Sequence, residues 1–174
     1  AYCKLLPKGK TDTRGAVAPH WIRPDSKILL CIPHPDDEVF LGALAYRMKK
    51  EYSANVAVYA FSYGSDQKLQ EIRRNELAAS LNVLGFQLIQ GENVLKAIEQ
   101  FQPDLVITPH EMDAHPTHMK LHSETELALK VLSFSGMWIQ FGYWSDPQDP
   151  NFAFEIQRDL AIDLVQALRK HHSQ

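Results

Sequence analysis

The apolar run Lys27-Ile28-Leu29-Leu30-Cys31-Ile32 passes without a spacer into Pro33-His34-Pro35-Asp36-Asp37-Glu38, and this junction constrains the fold more than any other feature of the chain. A short continuous apolar run bounded by turn signals predicts a buried strand, and a strand buried on both faces needs a sheet with helices above and below it. One imidazole and three carboxylates therefore stand where a strand stops and a helix begins. Open α/β sheets bind ligands there. Two prolines restrict the backbone on either side of His34, where side chains must be aimed. His34 and Asp37 are three residues apart, a spacing that lets both reach one metal ion, whereas Asp36 between them points elsewhere.

Aspartate is a common helix cap, and capping alone accounts for one acid in such a turn but not for the histidine. A second cluster, Asp113-Ala114-His115-Pro116-Thr117-His118, follows another apolar run, Asp104 to Pro109. Pro116 suits the first turn of a helix, with His115 just outside it and His118 inside. Two histidine-bearing turns, both at strand ends, suit a site assembled at a topological switch point.

Between and beyond these turns the pattern alternates. Helices are expected over Val39 to Glu51, Gln67 to Leu84 (closed by Gly85), Asn93 to Phe101, Pro116 to about Leu132, and Gln157 to His171. Strands are expected over Ala54 to Phe61, Phe86 to Ile89, Asp104 to Thr108 and Trp138 to Trp144. Right-handed crossovers turn this alternation into an α/β, Rossmann-like three-layer sandwich with a mostly parallel sheet. In the strand order 3-2-1-4-5 the strands ending at Pro33 and Pro109 become neighbours, and the two histidine clusters converge.

The length of 174 residues fits one domain, with 1–26, rich in Pro and Gly, as an N-terminal arm. A chain of this size buries roughly 70% of the surface that it exposes when unfolded, so folding needs no disulfide or metal staple. A net charge of −3 with scattered basic residues leaves no nucleic-acid footprint. Cys31 reads as core and Cys3 as part of the arm, and the pair spells neither a structural zinc site nor a redox motif. No stretch has the roughly 18 consecutive apolar residues of a membrane span. The opening Ala1-Tyr2-Cys3-Lys4 lacks the apolar core of a signal peptide, though a first residue other than methionine leaves an already removed signal open. The expectation is a cytoplasmic chain, with self-association into a homo-oligomer left open.

In the Pro33–Glu38 turn and the later His115-x-x-His118, the chain resembles the LmbE/PIG-L family of zinc-dependent N-deacetylases. A third similarity is Arg73-x-x-Glu76-x-x-x-Ser80 leading to Leu84-Gly85, so the likeness runs from about Lys27 to His122. The resemblance implies Zn²⁺ held by His34, Asp37 and His118, with Asp36 as general base and His115 as the group that stabilises or protonates the developing tetrahedral species. It also implies that Arg73 contacts substrate or orders the site loops. Three protein ligands and a separate proton acceptor are what metal-assisted hydrolysis requires.

Three features depart from the family pattern: Thr117 where many members carry Asp, Gly42 followed by Ala43 rather than by a second glycine, and a shorter chain. Glu38 is expected to cap or brace the following helix, His122 to lie behind the ligands or on the surface, and His20, His171 and His172 to be surface residues.

The leading expectation is hydrolysis of an N-acetyl group from an N-acetylglucosamine-type amino sugar or glycoconjugate, with Trp138, Tyr143 and Trp144 available either to stack on a sugar or to pack. The alternatives are an amide hydrolase for a larger acyl or a thiol conjugate, and a metal-stabilised binding module without catalysis. A binding module has little use for Asp36 and His115.

Overall fold

The computed structural model describes residues 3–4, 23–142, 152–154 and 156–173. Its central sheet contains β1 (Lys27–Ile32), β2 (Asn55–Ala60), β3 (Gln87–Leu88), β4 (Leu105–Pro109) and β5 (Met137–Phe141). The helices are α1 (Asp37–Leu41), α2 (Ala43–Tyr52), α3 (Gln67–Leu84), α4 (Val94–Phe101), α5 (Pro116–Val131) and α6 (Arg158–Leu168). All five strands are parallel in the order β3-β2-β1-β4-β5, which is the expected 3-2-1-4-5. A separate two-residue parallel pairing joins Cys3–Lys4 to Phe152–Ala153. The remainder of the expected arm up to Ile22, with His20, and also Tyr143 and Trp144, lie outside the described residues.

The period of two along β1 divides the core. Ile28, Leu30 and Ile32 pack with Leu41, Leu44, Leu77, Leu81 and Leu164 on one face. Leu29 and Cys31 pack with Ala97, Ile98, Leu121 and Ala128 on the other. Helices α1, α2, α3 and α6 thus cover one side of the sheet and α4 and α5 the opposite side, giving three layers. Burial pushes the Cys31 thiol up and leaves it an inert core residue. Among the described residues no helix is long and apolar enough to cross a membrane.

Two helices depart from expectation by more than one residue. The helix expected over Val39 to Glu51 begins at Asp37 and divides at Gly42, where a Cβ would stand 2.2 Å from the Glu38 carbonyl oxygen and 2.9 Å from Leu30 Cδ2. Only a glycine allows α1 to press this closely onto β1. The last helix stops at Leu168 rather than His171, and the residues that follow turn back onto α1 and α3. Helix α3, by contrast, ends as expected at Gly85, whose φ of 66° is the left-handed cap conformation.

Candidate active site

β1 and β4 are hydrogen-bonded neighbours, yet the chain leaves β1 toward β2 on one side and continues from β4 to β5 on the other. A crevice opens beyond strand ends at such a reversal. The two histidine-bearing turns meet there.

The first turn is held close to the sheet. Phe61 and Ser62 donate their backbone N–H groups to the carbonyls of Ile32 and Pro33, which ties the loop after β2 to it. Asp36 occupies the cap position of α1 with φ 97° and ψ −31°, and its side chain makes no capping hydrogen bond. Helix capping therefore does not explain this acid. Its neighbour Asp37 is buried, and Asp37 Oδ2 accepts the His34 N–H at 2.9 Å. The same oxygen lies 3.5 Å from His34 Nδ1 and 3.6 Å from His118 Nε2.

The second turn is organised by Asp113, whose carboxylate is buried. Asp113 Oδ1 accepts the His115 N–H at 2.9 Å, while Oδ2 lies 3.1 Å from His118 Nδ1. Pro116 is the first residue of α5 and His115 its cap, with His115 Nδ1 accepting the Thr117 N–H at 3.3 Å. His118 is buried; His115 is exposed. Their ring centroids are 4.8 Å apart, and that of His34 lies 5.1 Å from His115 and 5.7 Å from His118.

One nitrogen from each of His34, His115 and His118 falls within a 4.8 Å span, an arrangement that can hold a metal ion. The Asp37 distances sharpen the fit: tetrahedral zinc with ligands at about 2.0–2.1 Å sets donor atoms about 3.4 Å apart. Asp113 against the far nitrogen of His118 supplies the carboxylate–histidine pairing that fixes which ring nitrogen faces a metal.

Burial first, then the charges of Asp37 and Glu38, raise the Asp36 carboxyl to about 6, against smaller opposing effects from His171 and His34. His115 is shifted the other way. Although the residue is exposed, partial desolvation of its ring and then the neighbouring His118 and His34 lower it below the ordinary imidazole value, despite Asp37 and Asp113.

The residues around this cluster divide clearly. Arg73 Nη1 donates to the Tyr63 carbonyl at 3.2 Å, and a Cβ on Gly64 would stand 1.9 Å from that nitrogen, so the arginine holds the loop after β2. His122 is buried behind the site, with Nδ1 3.2 Å from the Pro109 carbonyl and its ring stacked on Trp138 at 4.9 Å. Trp138 also donates its indole N–H to Thr108 Oγ1, so it packs between strand and helix. His110 Nδ1 accepts the Met112 N–H and shapes the loop before Asp113.

Two expectations are corrected. His171 is not a surface residue: its side chain is 1% exposed and its Nε2 lies 2.7 Å from Glu38 Oε1. Glu38 does more than brace the helix that follows, since it is fully buried and bonded to three parts of the chain. Sequence reasoning also gave Asp113 no role; it lies five residues before His118, in a loop where helical periodicity carries no signal.

No family model matches the chain, and no curated protein matches it by sequence. Solved structures do. A deacetylase of the teicoplanin biosynthetic pathway is similar as a triple mutant (19% identity, 83% of this chain, 81% of that chain, TM-score 0.66). Its zinc-inhibited form also matches (16% identity, 83% of each chain, TM-score 0.64). The N,N′-diacetylchitobiose deacetylase of Pyrococcus horikoshii, complexed with an inhibitor, shares 20% identity over 86% of this chain and 70% of that one, with a TM-score of 0.64. A 4-carboxy-2-hydroxymuconate hydratase from Pseudomonas putida shares 15% identity over 86% of this chain and 80% of that one, with a TM-score of 0.61. The chain has the fold of these enzymes. Because that fold serves both deacetylases and a hydratase, the site must argue for the chemistry.

Proposed function

We propose that the chain is a zinc-dependent N-deacetylase that removes an acetyl group from an N-acetylglucosamine-type amino sugar or glycoconjugate. The observation that carries this reading is the division of labour in the first turn, where Asp37 lies within reach of His34 and His118 while Asp36 caps nothing. The deacetylases among the structural neighbours support it. His34, Asp37 and His118 would hold the ion. Zinc bound there supplies a Lewis acid that polarises the amide carbonyl and lowers the pKa of water.

Asp36 takes the proton of the attacking water. A carboxylate held at the mouth of the helix with no capping bond is free to accept a proton from water, the role that general-base catalysis needs. His115 stabilises the developing tetrahedral species by donating a hydrogen bond to its oxyanion. With Nδ1 accepting the Thr117 N–H, its neutral ring carries the proton on Nε2, which makes it a donor and a poor ligand. The water oxygen bonds to the acetyl carbon as its proton passes to Asp36, the C–N bond breaks as Asp36 returns that proton to the departing amine, and the acetic acid released ionises to acetate. In this reading Arg73 serves the substrate through the Tyr63–Gly64 loop that it holds.

The test is product analysis by mass spectrometry with zinc-loaded protein, offered N-acetylglucosamine, N,N′-diacetylchitobiose and amides with longer acyl groups, beside a chelated control. Acetate release from an acetylated sugar, lost on chelation, is the expected result. Zinc-loaded protein that cleaves only the longer acyl amides would move the assignment to another amide hydrolase. No cleavage of any of them would remove the deacetylase reading.

A further inference from the structure

Glu38 presents a problem that the chemistry above does not address. A fully buried carboxylate is costly unless donors surround it, and Glu38 is fully buried. Two of its three donors come from distant parts of the chain and the third from its own turn. Ser80 Oγ on α3 donates to Oε1 at 2.5 Å, His171 Nε2 lies 2.7 Å from the same oxygen, and the backbone N–H of Asp36 donates to Oε2 at 2.8 Å.

The segment that carries His171 is fixed in turn. Glu76 Oε1 accepts the N–H groups of His172 and Ser173 at 2.9 and 3.0 Å, and Ser173 Oγ donates to Glu76 Oε2 at 2.5 Å. Glu76 and Ser80 are four residues apart, on one face of α3, so a single helical face grips both the segment and Glu38. His171 Nδ1 is buried without a hydrogen-bond partner among the described residues, so the ring's hydrogen bonding is directed at Glu38. At the other end of this chain of contacts, Asp36 holds a φ of 97°, a conformation that is strained for a non-glycine residue and persists only where its surroundings impose it.

We infer that His171 is a positioning residue for the reaction: it orients Glu38, and through the Glu38–Asp36 backbone bond it holds the Asp36 carboxylate in its working direction. The inference rests on the reading of Asp36 as general base. Its geometric half, that the segment after α6 maintains the Asp36 conformation, can be measured without any activity.

The experiment compares His171→Ala and His171→Gln with the unaltered protein. Gln retains a donor nitrogen near the position of the imidazole Nε2. Hydrogen–deuterium exchange of the metal-free proteins is read at the peptide covering 33–41. Zinc content and the kcat and KM for N,N′-diacetylchitobiose are read on the loaded ones. His171→Ala should exchange faster in that peptide and lose about 10- to 100-fold in kcat, the scale of a misplaced catalytic group, with KM and zinc content within twofold. His171→Gln should recover most of both losses.

Should His171→Ala fail to fold, Ser80→Ala removes the other donor to the same oxygen and should show the same pattern. Unchanged exchange at 33–41 would overturn the inference, as would a loss confined to KM or zinc content, or a Gln variant no better than Ala. If the unaltered protein deacetylates nothing while exchange responds as expected, the fault lies with the proposed function and the positioning contact stands.

Discussion

The two turns that build the site are chemically alike, each a proline-flanked histidine cluster at the end of a buried strand, but they are held in place differently. The β4–α5 turn is organised from within by Asp113, which contacts His115 and His118 two and five residues further on. The β1–α1 turn has an internal bond of the same kind, from the His34 N–H to Asp37, but it is also held from outside. Glu38 reaches Ser80 and His171, 42 and 133 residues away in sequence. Its backbone conformation at Asp36 is one that the local sequence alone does not favour. A locally organised turn can be altered residue by residue, whereas a turn held by distant parts transmits damage from places that never touch substrate.

Variants of the second turn should separate its two histidines. His118→Ala should remove bound metal and with it measurable turnover while leaving the chain folded, because the core on both faces of the sheet does not depend on the site. His115→Ala should retain metal and lose about 100-fold or more in turnover. Metal analysis beside steady-state kinetics checks both, and metal loss in the His115 variant would mean that the two roles are exchanged.

A smaller effect is expected at Asp113. Asp113→Asn keeps its size but weakens the carboxylate–histidine pairing, and zinc affinity should fall about 10- to 100-fold, measured by competition with a chelator. Retention of full affinity would show that His118 is oriented by packing alone.

The smallest expected effect is a pH dependence of stability. Burial disfavours the charged His171 ring, but the hydrogen bond and charge of Glu38, helped by Asp36 and Glu76, outweigh it and raise the pKa. A raised histidine stabilises the fold fully below the unfolded value near 6.5, and the contribution is lost as pH rises through the folded value. The thermal midpoint of the metal-free protein should therefore fall more steeply above pH 6.5 than that of His171→Gln, in which this titration is absent. Parallel curves would mean that the Glu38 contact does not favour the charged ring.

Much of the fold was legible because parallel strands are written as continuous apolar runs. Lys27–Ile32 and Leu105–Pro109 announce themselves, and the doubly wound order 3-2-1-4-5 is the one that makes them neighbours. The residues of the candidate site were legible for a related reason: proline, histidine and aspartate cluster where those strands end. What sequence patterns missed depends on contacts between distant segments. His171 sits among polar residues after a helix and looks solvated, and only the return of the chain onto Glu38 and Glu76 buries it. Asp113 was visible as a letter, but its pairing with His118 follows from loop geometry that no periodicity encodes.

The proposed division of tasks between the adjacent acids Asp36 and Asp37 is decided by measuring zinc affinity and single-turnover deacetylation for Asp36→Asn beside Asp37→Asn. Asp37→Asn should weaken zinc binding, because an amide oxygen is a poorer ligand than a carboxylate. Asp36→Asn should keep its zinc and lose about 100- to 10,000-fold in the chemical step, since the amide cannot accept the proton of water. Loss of metal from Asp36→Asn with metal retained by Asp37→Asn would contradict the assignment, and full activity in both variants would contradict the hydrolytic mechanism itself.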